Sequence, residues 1–137
     1  MGGLLLGLGL HVALPFTVLP QTIAQAIGFI LFAPFFLLAF PAVRLMRGAG
    51  TPLRPDQPTT ALITTGPFRY TRNPIYLAFA SLYISVACLL NVLWPLVVLP
   101  IVISLINRMV IAREEAYLER KFGEAYRQYK ARARRWL

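Results

Sequence analysis

The sequence predicts an all-α integral membrane protein of one domain (1–137), with about four transmembrane helices and a C-terminal amphipathic helix on the cytoplasmic side. Three observations carry that expectation. Residues 1 to 43 hold no Lys, Arg, Asp or Glu, and neither do residues 73 to 107. Hydrophobic residues make up 58% of the 137 and charged ones 14%, too apolar for a water-soluble domain of this size. The charges behind the net +9 are confined to 44–72 and to the stretch from Arg108 onward. Apolar spans separated by basic loops give that pattern, and the excess charge suits anionic headgroups better than nucleic acid.

The first expected span, 4–19, lacks the basic start and small-residue cleavage site of a signal peptide and reads as retained. His11 lies mid-span; an ionisable residue there is a functional candidate by position, against the plainer alternative of a neutral imidazole bonded to a neighbouring helix. Pro15 and Pro20 bend and end this helix. The second span, 22–45, is long enough to cross roughly 30 Å of hydrocarbon, with kinks expected at Pro34 and Pro41. The cytoplasmic loop 46–74 follows. Pro52, Pro55, Pro58 and Pro67 with Gly48, Gly50 and Gly66 exclude a long helix there. Five arginines in 44–72 face Asp56 alone. Residues 61–65 form a candidate extended piece.

The third span, 75–90, carries Ala78, Ser81 and Ser85 at helical spacing, small residues that let another helix approach closely. Asn91 marks a turn and 92–110 is the fourth span, with Pro95 and Pro100 in its first half. Cys88 stands alone in an apolar run, so neither a disulfide framework nor a cysteine metal site is offered. The positive-inside rule places the loop and the tail in the cytoplasm; four crossings then put both termini there. From 113 to 131 the pattern is amphipathic: Leu118, Phe122, Ala125 and Tyr129 form one stripe, expected along the headgroup layer or over the loops. Trp136 is expected as an interfacial anchor.

Polar chemistry concentrates in two places. Gly66-Pro67-Phe68-Arg69-Tyr70-Thr71-Arg72-Asn73-Pro74-Ile75-Tyr76 packs two arginines and three rings into a turn that feeds a helix. Gly66 permits positive φ, Pro67 presets φ, Pro74 holds Asn73 out of the helical region, and Pro74 can open the helix itself. A loop that only sets topology is the bland alternative. Glu114-Glu115 lies just beyond the fourth span. It offers either ion pairing with Arg69, Arg72 or Arg113, or capture of a cationic ligand. Adjacent helical positions point about 100° apart, so one carboxylate binding while the other orients an arginine is the favoured division.

These motifs resemble the isoprenylcysteine carboxyl methyltransferase and phospholipid methyltransferase group. The resemblance rests on Gly66–Tyr76, on Arg113-Glu114-Glu115-Ala116-Tyr117-Leu118-Glu119-Arg120 and the residues after it, and on Gly50-Thr51-Pro52. It covers roughly 48 to 136. The resemblance implies an integral-membrane methyltransferase of bacterial type, in the inner membrane, using S-adenosylmethionine without a dinucleotide-binding domain. No Gly-x-Gly-x-x-Gly follows a strand pattern anywhere, in keeping with that. By similarity the cofactor site comprises Arg72, Asn73, Pro74 and Tyr76 with Glu114 and Glu115; Arg69 and Tyr70 are added from the motif. Arg72, Asn73 and Glu115 are the expected catalytic residues, and no metal is expected. The acceptor is expected to be a membrane lipid or other lipophilic molecule with a carboxylate or amine head. Many relatives have His where this chain has Asn73; Asn bonds but does not titrate, which leaves positioning rather than proton transfer. Two alternatives stand beside this: a membrane reductase related to sterol reductases using NADPH, and a non-enzymatic membrane adaptor.

Overall fold

A computed structural model of the chain describes residues 2–17, 19–52 and 59–136. Among these residues the architecture is all helical: α1 (Gly2–Ala13), α2 (Gln21–Gly48), a 3-10 turn (Gly66–Arg69), α3 (Pro74–Leu89), α4 (Trp94–Ile106), a π turn (Asn107–Ile111), α5 (Ala112–Phe122) and α6 (Glu124–Arg132). α4, the π turn and α5 run on as one long helix, Trp94–Phe122, which makes five helices among the described residues. The expected loop breakers Pro55 and Pro58, and the loop acid Asp56, lie outside the described residues.

Among the described residues, two helices are long and apolar enough to cross a membrane, Gln21–Gly48 and Trp94–Phe122. At 1.5 Å per residue each spans roughly 42 Å, ample for a hydrocarbon core of about 30 Å. Their outer faces are bare: Phe29, Ile30, Leu37 and Phe40 are each about 70% exposed. A core helix of a soluble protein would bury such residues, whereas lipid covers them at no cost. The other two expected crossings are shorter apolar helices of 12 and 16 residues. Physical reasons bound both. α1 stops at Ala13 because Pro15 disfavours helix at the residue before it; α3 is held between Pro74 and the turn at Asn91, which adopts φ +53.

α2 and α3 pack most closely. Small residues are buried on both: Ala24, Gly28 and Ala42 on α2, and Ala78, Ser85 and Ala87 on α3. Ser81 Oγ donates to Leu31 O at 2.6 Å and Ser85 Oγ to Gly28 O at 2.7 Å. A Cβ on Gly28 would stand 2.7 Å from Leu89 Cγ, so glycine sets the helix separation. The expected small-residue face is thus an interhelical seam. Pro34 and Pro41 are absorbed within a continuous α2. At the far end Asn91 Nδ2 donates to Leu19 O and Gln21 Nε2 to Leu89 O. There α1 ends against α4, with Trp94 Nε1 donating to Leu14 O. His11 Nδ1 accepts from Phe16 N at 3.3 Å, a local closure of the turn after α1.

The single tail helix expected over 113–131 is corrected to two. Gly123 takes φ +53 and ψ −123, a conformation essentially closed to residues with a Cβ, and breaks the helix between Phe122 and Glu124. The break shifts the apolar stripe. Leu118 and Phe122 pack inward as expected, but Ala125 is exposed and Tyr126 takes its place, 1% exposed, beside Tyr129. These tyrosines and Ala133 pack with Leu62, Phe68, Leu118 and Phe122. The tail therefore folds back over the loop. No named strand forms at 61–65.

Candidate functional site

The site begins with the turn before α3. Gly66 adopts φ +59 and Pro67 is buried; Tyr70 N and Thr71 N both donate to Pro67 O. Asn73 sits at φ −128, ψ 54, outside the helical region, and Pro74 opens α3. Thr71 and Asn73 are buried, and Thr71 Oγ1 accepts from Asn73 N. This winding sends the side chain of Arg72 inward, where it is 11% exposed, and turns Arg69 and Tyr70 outward.

Beyond α6 the chain becomes extended and returns to that turn. Arg72 N donates to Arg134 O and Arg134 N to Tyr70 O, a short parallel bridge. Arg135 O accepts from Asn73 Nδ2 at 2.9 Å and from Thr71 Oγ1 at 3.2 Å. The Arg135 guanidinium forks onto Glu115: Nε donates to Oε1 at 3.1 Å and Nη2 to Oε2 at 2.5 Å. Trp136 Nε1 donates to Asn107 Oδ1 in the π turn. The i→i+5 bond from Ala112 N to Asn107 O adds a residue to that turn, which offsets the face of α5 from that of α4.

A cavity of about 530 Å³, counted with its open mouth, lies between the turn, α5 and α6. Its polar wall includes Arg72, Asn73, Glu114, Glu115, Tyr126 and Tyr129; its apolar wall includes Met46, Leu62, Ile63 and Leu118. That lining, largely apolar with a few converging polar groups, suits a small-molecule site.

The electrostatics are uneven. Glu115 is buried and fully engaged: Arg72 Nη1 stands 2.9 Å from its Oε1, opposite the Arg135 fork. The Arg72 contact is an ion pair by distance but is not aligned along an N–H bond, so Nη1 and Nε both keep donors without hydrogen-bond partners. Glu114 Oε2 and the Tyr126 hydroxyl are likewise buried and unpartnered. Glu114 lies past the apolar part of its helix. Burial, then the neighbouring charge of Glu115, raise its carboxyl above the usual carboxylate range. Burial is also the main cause that pushes the phenols of Tyr126 and Tyr129 up; at Tyr126 the nearby Arg72 opposes the rise without completing a bond to the hydroxyl. Tyr129 is satisfied by Phe68 O at 2.8 Å. Two donors, one acceptor and one group that does both thus converge on one cavity.

Of the residues named from the sequence, Arg72, Asn73, Glu114 and Glu115 come together in this cavity. Pro74 is buried as the first residue of α3, a backbone role. Tyr76 is half-buried near Glu114 but does not line the cavity. Arg69 and Tyr70 are exposed, stacked on each other at 5.9 Å, and the structure does not bring them into the site. Sequence reasoning missed Tyr126 and Arg135. The stripe count passed over Tyr126 because it assumed an unbroken helix through Gly123. Arg135 was hidden in a basic end that resembles any headgroup-binding tail.

The phospholipid methyltransferase family matches residues 23–125, a stretch that includes the α2–α3 pair, the turn and both glutamates. The chain belongs to that family, whose members are S-adenosylmethionine-dependent methyltransferases. An uncharacterized protein of Haemophilus influenzae is 62% identical over 37 residues, covering 27% of this chain and 59% of that protein. The match thus spans less than two thirds of that relative. No solved structure gives a significant match.

Proposed function

We propose that this protein is an S-adenosylmethionine-dependent methyltransferase acting on a lipophilic acceptor, a carboxylate or an amine, at the cytoplasmic face of a bacterial inner membrane. One observation supports the site above others: buried donors on Arg72, one of them ion-paired off-axis with Glu115, and a buried acceptor on Glu114 share a cavity and lack hydrogen-bond partners. An orphaned buried polar group costs about 1–3 kcal/mol, so a fold that keeps four together is shaped for a ligand. A group with a carboxylate and an ammonium on neighbouring atoms, as in the amino-acid end of the cofactor, matches donors and acceptor at once.

The residues present fit the cofactor. Arg72 Nε and Nη1 would hold its carboxylate, Glu114 Oε2 its ammonium, and the Tyr126 hydroxyl can serve either. Asn73, fixed by Arg135 O, positions the wall beside them. Glu115 orients Arg72 rather than meeting the ligand. When bound, S-adenosylmethionine supplies a methyl group on a cationic sulfur, open to in-line displacement. The chain's part is alignment and exclusion of water, which together give large rate effects. A carboxylate acceptor needs no base; an amine must arrive deprotonated, since Asn73 does not titrate.

The proposed topology has four crossings, with α1 and the residues after it completing the first and both termini in the cytoplasm. The basic ends of α2 and α5 sit on the side of the cavity, which supports it. Calorimetric titration with S-adenosylhomocysteine tests the site. Loss of affinity in Arg72→Ala and in Glu114→Gln is expected; wild-type affinity in both refutes it. The family match favours methyl transfer over the nicotinamide reductase.

A further inference from the structure

The tail residue Arg135 lies outside the family match, which ends at residue 125, yet it hydrogen-bonds both the turn before α3 and Glu115. Its side chain and its carbonyl act on different parts of the wall. The carbonyl accepts from Asn73 and Thr71, which fixes the backbone of the turn against the tail. The guanidinium takes both oxygens of Glu115.

We propose that Arg135 is a positioning residue for the ligand: by forking onto Glu115 it keeps that carboxylate, already ion-paired with Arg72 Nη1 at 2.9 Å, from turning its own two-bond fork onto Arg72, and so leaves Arg72 Nε and the unaligned N–H of Nη1 for the ligand. The inference rests on the cofactor site described above. A carboxylate and a guanidinium pair best in a planar fork, with two parallel N–H···O bonds. Arg72 and Arg135 both reach Glu115, and only one of them makes the fork. Arg135 occupies Oε1 and Oε2; Arg72 Nη1 approaches Oε1 off the N–H direction and keeps its hydrogen-bonding capacity. Remove Arg135 and Glu115 is a buried carboxylate with one cation left beside it. It then rotates onto Arg72 and consumes the donors that the ligand needs. The cavity survives, but its anion-binding wall is switched off.

The competition predicts a double-mutant pattern that simple docking of the tail does not. Dissociation constants for S-adenosylhomocysteine are measured by calorimetry on the full chain in lipid nanodiscs, with thermal unfolding recorded on each sample. In Arg135→Gln affinity falls at least tenfold. Arg135→Lys, which offers one contact in place of two, gives a smaller loss. In a Glu115→Gln background the neutral amide no longer captures Arg72, and adding Arg135→Gln costs less than twofold. Arg127→Gln, which removes only an exposed ion pair with Glu124, keeps wild-type affinity.

Wild-type affinity in Arg135→Gln overturns the proposal while leaving the site intact. So does an equal loss from Arg135→Gln in both Glu115 backgrounds, because that is the signature of a tail that merely holds the fold together. Where the glutamine variant fails to fold, the lysine variant is read in the same two backgrounds by the same rule. Wild-type protein that binds no S-adenosylhomocysteine removes the site reading itself, and the role of Arg135 with it.

Discussion

Replacing Tyr126 by Phe is expected to stabilise the ligand-free protein and weaken its hold on cofactor, two effects of opposite sign from one oxygen atom. The side chain is 1% exposed, its hydroxyl is buried without a partner, and Phe fills the same space without a cavity. Removing an unsatisfied buried hydroxyl recovers about 1–3 kcal/mol. At roughly 4 °C per kcal/mol for a chain of this length, the midpoint of thermal unfolding rises by roughly 4 to 12 °C. In the proposed bound state the same hydroxyl would meet a charged group, and a hydrogen bond of that kind contributes about 1.5–3 kcal/mol. Its loss raises the dissociation constant of S-adenosylhomocysteine roughly ten- to hundredfold. Thermal unfolding in mild detergent and calorimetric titration on one preparation read both. A lowered midpoint, or affinity within twofold of wild type, refutes the assignment of the hydroxyl to the ligand.

Further outcomes follow from particular atoms. Glu114 titrates above an ordinary carboxyl in the folded protein. The folded state therefore holds a proton that the unfolded state releases, and ligand-free stability falls as pH rises from the normal carboxylate range to the raised value. Cofactor binding has the opposite slope: affinity drops as pH falls through the raised value, and Glu114→Gln flattens the profile in a pH series of titrations. Gly123→Ala forces a Cβ into φ +53, ψ −123, at a cost of about 1–3 kcal/mol. Because α6 and the tail then leave the turn, binding and the unfolding midpoint fall together. Gly28→Ile drives side-chain atoms into Leu89 and separates α2 from α3. A loss of about 2 kcal/mol or more is expected from overpacking and two broken serine bonds, read as a lower midpoint in the same detergent.

Several features were legible without coordinates because they are local. Avoidance of water by two long uncharged stretches set the helical membrane class; α3 has the length expected of it, whereas α1 stops at Ala13, short of the expected 4–19. The dihedral limits of Gly66, Asn73 and Pro74 fixed the entry into α3. Small residues at helical spacing on α3 foretold a tight neighbour, and α2 is that neighbour. Periodicity misled only where one glycine reset it, trading Ala125 for Tyr126 on the inner face.

The division of labour between Glu114 and Glu115 was open in the sequence, since both are equally acidic and adjacent. Tertiary structure brings Arg135, 20 residues away, onto Glu115 and leaves Glu114 Oε2 without a hydrogen-bond partner, which supports the division proposed above. Sequence by itself determined which segments shun water, where the backbone must turn, and which residue types are at hand for binding. Which of those groups are paired and which are left free is a matter of ångström distances between remote segments. Electrostatics and hydrogen bonding fall off over such distances, so only the folded chain could settle it.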